Sequence, residues 1–437
     1  MSASHEQARG RCKGQWSDGR DQSQGEARRV STTVRQPSRK HSVPLSEVEQ
    51  TAFCRSEDDL RPQPLLDELK VNVRWQQIPP EYQALDPETL DRRITDVKRE
   101  LGQKVTILGH HYQREEIIKH VDFRGDSFKL SQNAASRPEA DFIVFCGVHF
   151  MAETAALLCA PHQQVVLPNM AAGCSMSDMA PMDDVLDAWD DLAEVLDGYG
   201  TILPVAYMNT AAGLKGLCGR QGGIVCTSSN AQAALQWSYD RADRVFFLPD
   251  QHLGRNTALT LGVDRQDMVV WDPFKPLGGH TAEALRRAKL VLWQGHCSVH
   301  TRFTTRQIEA ARSRFPNINI LVHPECTSEV VQTADLNGST ELICKVINEA
   351  PAGSIWGVGT EINLVNRLAQ ANPDKTIFCL DPVVCPCSTM YRIHPAYLLW
   401  VLEELLEGRV ANRITVDEDT RHHSRIALEN MLRLPSP

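Results

Sequence analysis

Thr376-Ile-Phe-Cys-Leu-Asp-Pro-Val-Val-Cys-Pro-Cys-Ser-Thr-Met390 places three cysteines within and behind a short apolar run. The apolar run is typical of a buried strand, so Cys379 is expected in the core and Cys385 and Cys387 in the loop that follows. A zinc ribbon needs a second CxxC pair, which this spacing does not match. We therefore expect a metal site completed by cysteines from elsewhere in the chain. The spacing does not decide between Cys385 and Cys387.

Two further stretches are built in the same way: Leu167-Pro-Asn-Met-Ala-Ala-Gly-Cys-Ser-Met176 and Leu292-Trp-Gln-Gly-His-Cys-Ser-Val-His300. In each, an apolar run leads to a glycine, a cysteine and small polar residues, which makes Cys174 and Cys297 candidate ligands. Thiolates are the ligands that iron–sulfur clusters prefer. A cluster held by only three cysteines would keep one iron open to a substrate.

Composition narrows the class of protein. The chain has 437 residues, of which 42% are apolar, so it is long enough for two or three domains with their own cores. A net charge of −9 argues against general nucleic-acid binding. No apolar run approaches the length of a membrane-spanning helix, so we expect a soluble chain without a membrane partner. Thirteen irregularly spaced cysteines and no signal peptide favour a reducing compartment, the cytoplasm, where thiols can bind metal.

The first 78 residues differ from the rest. They are polar and rich in Ser, Gln and Arg, and they lack helical or strand periodicity until Leu65, so we expect residues 1–78 to be disordered. An organelle transit peptide is the alternative for such a segment, but its acidic residues argue against that reading. Cys12 and Cys54 lie here and are expected to have no chemical role.

From residue 79 onward, apolar runs of four to six residues alternate with helical stretches. This pattern predicts an α/β fold with parallel strands covered on both faces. The spacing of Cys174, Cys297 and Cys387 favours three similar α/β domains, which we expect at 79–173, 174–296 and 297–387. The C-terminal segment, 388–437, contains an amphipathic helix around Tyr397 that we expect to return to the first domain.

Polar residues follow many of the predicted strands. Ligands bind at the carboxyl ends of parallel strands, and these residues supply imidazoles, hydroxyls, an amide and carboxylates suited to a small polyanion. They include His110, Tyr112, Ser127, Tyr207, Asn209, Ser228, His323, Glu325 and Thr340. Simpler roles are open for some: Ser127 suits a helix N-cap, and His149 and His252 suit structural or surface positions. Cys146, Cys159, Cys218, Cys226, Cys326 and Cys344 are expected to be buried apolar residues.

From about residue 80 to about 432, the chain resembles the quinolinate synthases, iron–sulfur enzymes of de novo NAD biosynthesis. Many motifs carry this resemblance, in one order along the chain: Gly-His-His-Tyr-Gln (109–113), Gly-Asp-Ser (125–127), Ala-Gly-Cys-Ser-Met (172–176), Tyr-Met-Asn-Thr (207–210), Cys-Thr-Ser-Ser-Asn (226–230), Pro-Asp-Gln-His-Leu-Gly (249–254), Trp-Gln-Gly-His-Cys-Ser-Val-His (293–300), His-Pro-Glu (323–325), Gly-Ser-Thr (338–340) and Cys-Pro-Cys-Ser-Thr-Met (385–390).

The resemblance implies three α/β/α domains around a pseudo-threefold axis and a [4Fe–4S] cluster with one open iron. Its cysteine ligands would be Cys174, Cys297 and Cys387; Cys387 matches the family because it lies three positions before Met390. Cys385 is an extra thiol and stays the alternative ligand. The implied substrate-binding residues are His110, Ser127, Tyr207, Met208, Asn209, Ser228, His323, Pro324, Glu325 and Thr340.

The implied reaction condenses iminosuccinate with dihydroxyacetone phosphate to give quinolinate, phosphate and water. Glu325 is expected to act as general base, with His110 and Tyr112 moving protons. An L-aspartate oxidase or aspartate dehydrogenase is the expected supplier of iminosuccinate. Two alternatives remain: another [4Fe–4S] hydro-lyase, or a non-catalytic iron–sulfur sensor, although the sequence has no basic recognition helix. A zinc hydrolase is disfavoured because HExxH and paired CxxC motifs are absent.

Overall fold

The computed structural model of the protein describes residues 43–55 and 60–434. The strands in this part of the chain, in order, are β1 Val105–His110, β2 Phe123–Gly125, β3 Phe142–Cys146, β4 Gln164–Val166, β5 Ile202–Tyr207, β6 Ile224–Cys226, β7 Arg244–Leu248, β8 Met268–Trp271, β9 Leu290–Trp293, β10 Asn319–Val322, β11 Leu336–Asn337, β12 Ile355–Gly359, β13 Thr376–Cys379 and β14 Arg413–Ile414.

The α-helices of the same residues connect these strands or flank them. They are α1 Leu45–Val48, α2 Leu65–Glu68, α3 Pro80–Gln83, α4 Pro87–Leu101, α5 Glu115–Ile118, α6 Ser127–Ala135, α7 His149–Leu158, α8 Ser175–Asp178, α9 Met182–Leu196, α10 Ala212–Arg220, α11 Ala231–Tyr239, α12 Gln251–Thr260, α13 Ala282–Arg287, α14 Thr305–Arg314, α15 Ser328–Thr333, α16 Thr340–Glu349, α17 Ile362–Ala371, α18 Ser388–Tyr391, α19 Pro395–Leu406 and α20 Glu418–Leu432.

The strands form three sheets. Their strand orders are β14-β4-β3-β1-β2, β6-β5-β7-β9-β8 and β11-β10-β12-β13. All pairs are parallel except that of β14 with β4. The predicted α/β fold class with parallel sheets is therefore confirmed. The boundaries of the three expected domains stay a prediction.

Burial explains why the strands are continuous apolar runs. All six residues of β1 are buried, and so are the four residues of β9. A strand covered by helices on both faces of its sheet has no polar side, so its side chains do not alternate between apolar and polar. Because the strands within each sheet run parallel, their carboxyl ends lie at one edge, where the chain leaves the sheet and can carry polar groups.

The C-terminal segment contacts more than one sheet. Helix α19 packs against α4, and β14 extends the first sheet. Helix α20 instead packs against α10 and β6, which belong with the second sheet. The Ser424 hydroxyl of α20 donates to the carbonyl of Ala212 at 2.9 Å.

The expected disorder of residues 1–78 is wrong for 43–55 and 60–78. Phe53 is only 1% exposed because its ring packs against Trp75 and Tyr391. Cys54, expected to be incidental, forms a disulfide with Cys385. These contacts join residues far apart in the chain, so local periodicity gave no sign of them. Residues 1–42, including Cys12, and residues 56–59 lie outside the described residues.

A search for membrane spans among the described helices finds none that is both long and apolar enough to cross a bilayer.

Candidate active site

One cavity collects residues from the ends of strands in all three sheets. The residues that line it include imidazoles, carboxyl groups, hydroxyls, thiols and a few apolar side chains. They are His110, Tyr112, Asp126, Ser127, Val148, Phe150, Met151, Cys174, Met176, Tyr207, Met208, Asn209, Thr227, Ser228, Cys297, Val299, His300, His323, Glu325, Thr340, Cys387, Thr389 and Met390.

The structure brings the predicted site residues together with one exception. Every predicted catalytic, substrate-binding and metal-ligating residue lines this cavity except Pro324. Pro324 lines a neighbouring cavity, which also contains Ser228 in its wall. The two cavities therefore share Ser228 in their walls.

The three candidate ligand cysteines come from loops that follow different strands. Cys174 immediately precedes α8, Cys297 follows β9, and Cys387 immediately precedes α18. Burial raises the pKa of all three thiols. For Cys297, the nearby Glu325 carboxylate and the other two sulfurs raise the pKa further. A cationic iron centre would offset this cost of forming thiolates, so the three-sulfur donor set fits an iron–sulfur group.

Cys385 occupies a different environment from Cys387. Cys387 lines the cavity, where its sulfur lies 3.5 Å from the Thr389 hydroxyl. Its backbone N–H donates to the Glu361 carboxylate at 3.3 Å. Cys385 is joined to Cys54 and is not among the described residues that line the cavity. This geometry favours Cys387 over Cys385 as the third ligand.

The end of β1 holds a hydrogen-bonded pair, His110 and Tyr112. The backbone N–H of Tyr112 donates to His110 Nδ1 at 3.1 Å. The Tyr112 hydroxyl lies 2.9 Å from the Thr360 hydroxyl and 3.3 Å from that of Thr340. Burial lowers the pKa of His110 well below its usual value, and burial together with the charge of Glu325 raises that of Tyr112. At neutral pH the imidazole is therefore uncharged and the phenol keeps its proton.

The end of β10 repeats this arrangement with a different side chain. The backbone N–H of Glu325 donates to His323 Nδ1 at 3.3 Å. One carboxylate oxygen of Glu325 accepts the Tyr207 hydroxyl at 2.5 Å, and the other lies 2.7 Å from His300 Nδ1. Burial alone would raise the pKa of Glu325, but His323, His300 and the Tyr207 hydrogen bond lower it to about 2. Glu325 is therefore a buried carboxylate at neutral pH.

His300 is a cavity residue with several site contacts that the sequence analysis did not single out. Its ring stacks on that of His323 at 4.3 Å, and its Nε2 lies 3.1 Å from the Thr360 hydroxyl and 3.5 Å from the Tyr112 hydroxyl. It therefore bridges Glu325 and Tyr112. Its position three residues after Cys297 was a usable signal, and Thr360 could have been found because it directly follows β12.

Two further groups of side chains bear on the site, one in the cavity wall and one, Asp250, outside its lining. Donor atoms of Cys297, His300 and Glu325 lie within 4.8 Å of one another, so this side of the cavity can hold a metal ion. Asp250 is fully buried and accepts the N–H groups of His252 and Leu253, both at 2.7 Å. Burial and the charge of Glu325 raise the pKa of Asp250 well above its usual value. Of these two carboxyl groups, Asp250 is therefore the one that takes up a proton more readily.

Two helices direct their N-termini at the cavity. The caps are Asp126 for α6 and Ser339 for α16, whose side chains accept backbone N–H groups of the first turn. The simpler interpretation of Ser127 as a helix N-cap is therefore wrong, because Asp126 caps α6. Ser127 and Thr340 occupy the first helical positions and line the cavity. The positive ends of the helix dipoles and these hydroxyls suit the oxygens of carboxylates or phosphate.

Comparison with known proteins gives one consistent result. A family model described as "NadA: Quinolinate synthetase A protein" matches residues 92–433. A quinolinate synthase of Corynebacterium glutamicum is 57% identical over 359 residues, covering 82% of this chain and 91% of that protein. Quinolinate synthases of Nocardioides sp. and Streptomyces coelicolor are each 54% identical to this chain, and each alignment covers 80% of it. The alignments cover 91% of the Nocardioides protein and 89% of the Streptomyces protein. The resemblance carried by the sequence motifs is confirmed, and the chain belongs to the quinolinate synthase family of NAD-biosynthesis enzymes.

Proposed function

We propose that the chain condenses iminosuccinate with dihydroxyacetone phosphate to form quinolinate, phosphate and water. The observation that carries the proposal is the single cavity lined by three cysteines, a carboxylate–imidazole pair and two helix N-termini. Membership in the family supports the product. The cavity supports the substrate class, because it offers hydrogen-bond donors for carboxylates and a phosphate together with groups that move protons.

Cys174, Cys297 and Cys387 are the proposed ligands of a [4Fe–4S] cluster. Held by these three sulfurs, such a cluster would leave one iron free to serve as a Lewis acid toward substrate oxygens. His300 and Glu325 lie beside Cys297 and border the space that a substrate would occupy there.

Glu325 and His300 form the proposed base. Since the pKa of Glu325 is low, its carboxylate is by itself a weak proton acceptor. The contact of this carboxylate with Nδ1 of His300 fixes the orientation of the imidazole ring. The same contact stabilises the imidazolium that forms when Nε2 of His300 takes a proton. Tyr112, whose phenol keeps its proton, lies next to that Nε2 and is the proposed acid. His110 accepts the backbone N–H of Tyr112 and helps to hold it in place.

The remaining polar groups bind substrate oxygens. Ser127 and Thr340 act from the helix N-termini, while Tyr207, Asn209, Ser228 and His323 reach the same space from other strand ends. Met208 and Pro324 would contribute backbone groups. The expected supplier of the labile imine is an L-aspartate oxidase or an aspartate dehydrogenase, and the expected location is the cytoplasm.

The proposal is tested on protein purified without oxygen. We expect about four irons per chain, as a [4Fe–4S] cluster contains, and quinolinate formation from the two substrates. Cys387→Ser should lose iron and activity, whereas Cys385→Ser should keep both. Loss of iron with Cys385→Ser would overturn the choice of ligand. Loaded protein that makes no quinolinate but dehydrates simple hydroxy acids would instead favour another hydro-lyase.

A further inference from the structure

Residues 43–55, here called the N-terminal strap, lie next to all three loops that carry the candidate ligand cysteines. The first contact is to the loop of Cys174. The Ser46 hydroxyl donates to the carboxylate of Asp178, which ends α8, the helix that begins directly after Cys174. Helix α1 of the strap packs against α8.

The second contact joins two of the loops through one carboxylate. Glu47 accepts the hydroxyl of Ser298, the residue after Cys297, and lies 3.4 Å from His296 Nε2, on the other side of the same cysteine. Ser175, the residue after Cys174, also hydrogen-bonds to Glu47. The hydroxyls of Ser175 and Ser298 are themselves 2.8 Å apart. Glu47 therefore sits at the point where the Cys174 and Cys297 loops meet.

The third contact is to the loop of Cys387. The Gln50 side chain donates to the carbonyl of Pro386 at 3.5 Å. Arg55 and Val384 exchange two backbone hydrogen bonds of 2.8 and 3.1 Å, and Cys54 is bonded to Cys385. The strap thus follows the residues that lead directly to Cys387.

The strap is also anchored at the end of α18, the helix that begins directly after Cys387. Glu49 forms an ion pair of 2.6 Å with Arg392, and both side chains are buried. Phe53 fills a site between Trp75 and Tyr391. A buried ion pair and a buried aromatic side chain give the strap a fixed position from which Glu47 can orient its partners.

We propose that the N-terminal strap forms part of the metal site and that Glu47 is a positioning residue for Cys174 and Cys297. This inference rests on the proposed iron–sulfur site. In this arrangement Glu47 is not itself a ligand. It holds Ser175 and Ser298, and through them it positions the adjoining cysteines. Partners that orient metal ligands in this way commonly change metal affinity by about 10- to 100-fold when removed.

The test compares Glu47→Ala with Val48→Ala, a matched change one residue further along α1 at a side chain that is 64% exposed. Iron and sulfide per chain are measured on protein purified without oxygen, and the rate of iron removal by a chelator is followed through the visible absorption. We expect about 10-fold faster iron loss in Glu47→Ala, a smaller increase in Glu47→Gln, which keeps one acceptor oxygen, and the wild-type rate in Val48→Ala.

Ser298→Ala changes the same link without altering the strap, so it keeps the inference testable if Glu47→Ala folds poorly. We expect it to accelerate iron loss, and we expect the double variant with Glu47→Ala to lose iron no faster than the faster single variant. Additive effects, or Glu47→Ala and Ser298→Ala at the wild-type rate, would overturn the inference. Wild-type protein that binds no iron would instead overturn the proposed cluster, so the two failures are distinguishable.

Discussion

The ends of β1 and β10 share one backbone hydrogen bond and differ in the side chain that this bond positions. In both, a histidine accepts the N–H of the residue two positions later, Tyr112 at one end and Glu325 at the other, over 3.1 and 3.3 Å. Both ends lie in the wall of the same cavity. The surroundings raise the pKa of Tyr112 and lower that of Glu325 to about 2.

This difference shows how a repeated fold can provide opposite functions. The shared strand-end geometry determines where the two groups lie, while the side chain and its partners determine which one keeps a proton. Pairs of titratable groups whose pKa values are driven apart commonly divide acid and base roles. His300 contacts both groups, so it links the proposed acid to the proposed base.

Glu325→Gln should have the largest effect, because it removes the charge that orients His300 and stabilises its protonated form. We expect turnover to fall by roughly 10²- to 10⁴-fold, the usual contribution of a positioned acid or base. Iron content should stay at the wild-type level, which is the control for an intact metal site. Full turnover in this variant would remove Glu325 from the reaction.

Tyr112→Phe should have a smaller effect, near the lower end of the same range at about 10²-fold, because water can replace part of a lost acid's function. The loss should appear in kcat, with little change in KM. Tyr239→Phe is the matched control, since Tyr239 is also a half-buried tyrosine with a raised pKa but does not line the cavity. Equal turnover in the two variants would contradict an acid role for Tyr112.

Thr360→Val should lower kcat less than either of these changes. Valine keeps nearly the shape of threonine and removes only the hydroxyl that lies between Tyr112 and His300. A single hydrogen bond contributes about 1 kcal/mol net, so we expect kcat to fall about fivefold. Thr301→Val provides a comparison, since its hydroxyl donates only to the Cys297 carbonyl among the described residues. A Thr360→Val enzyme with wild-type kcat would show that the hydroxyl does not help to align the two groups.

The smallest expected effect is that of pH on the ionisation of Glu325 itself. A carboxyl group whose pKa is lowered to about 2 is ionised above that value and gains a proton only as the pH falls through it. The carboxylate infrared band that is lost in Glu325→Gln should therefore keep its intensity in wild type between about pH 5 and 9. A band that weakens as the pH falls within that range would mean that Glu325 titrates there.

Local pattern predicted much of the fold and the cavity. Apolar runs identified the parallel strands, and polar residues after them identified His110, Tyr207, His323 and others that now line one cavity. His300 and Thr360 were missed because their roles come from contacts with Glu325 and Tyr112, which lie far away in the sequence. Such contacts form only in the folded chain and leave no periodic pattern in the sequence around either residue.

The N-terminal strap was missed for the same reason. Its residues show no helical or strand periodicity, and what orders them is the burial of Phe53 and the ion pair of Glu49 with Arg392. These contacting residues lie too far apart in the chain for a short window of sequence to contain them together. The choice between Cys385 and Cys387 likewise depended on Cys54, which is bonded to Cys385.

The protonation states of Glu325 and Asp250 test the central claim most directly, because both carboxyl groups are buried and their pKa values shift in opposite directions. Infrared difference spectra at neutral pH would compare Glu325→Gln and Asp250→Asn with wild type, using the carbonyl band of a protonated carboxyl group. We expect Asp250→Asn to remove a component of that band and Glu325→Gln to remove none, while Glu361, whose pKa is raised to about 7, contributes equally to all three spectra. Loss of that component in Glu325→Gln and its survival in Asp250→Asn would show that Glu325 holds the proton, contradicting the proposed division between acid and base.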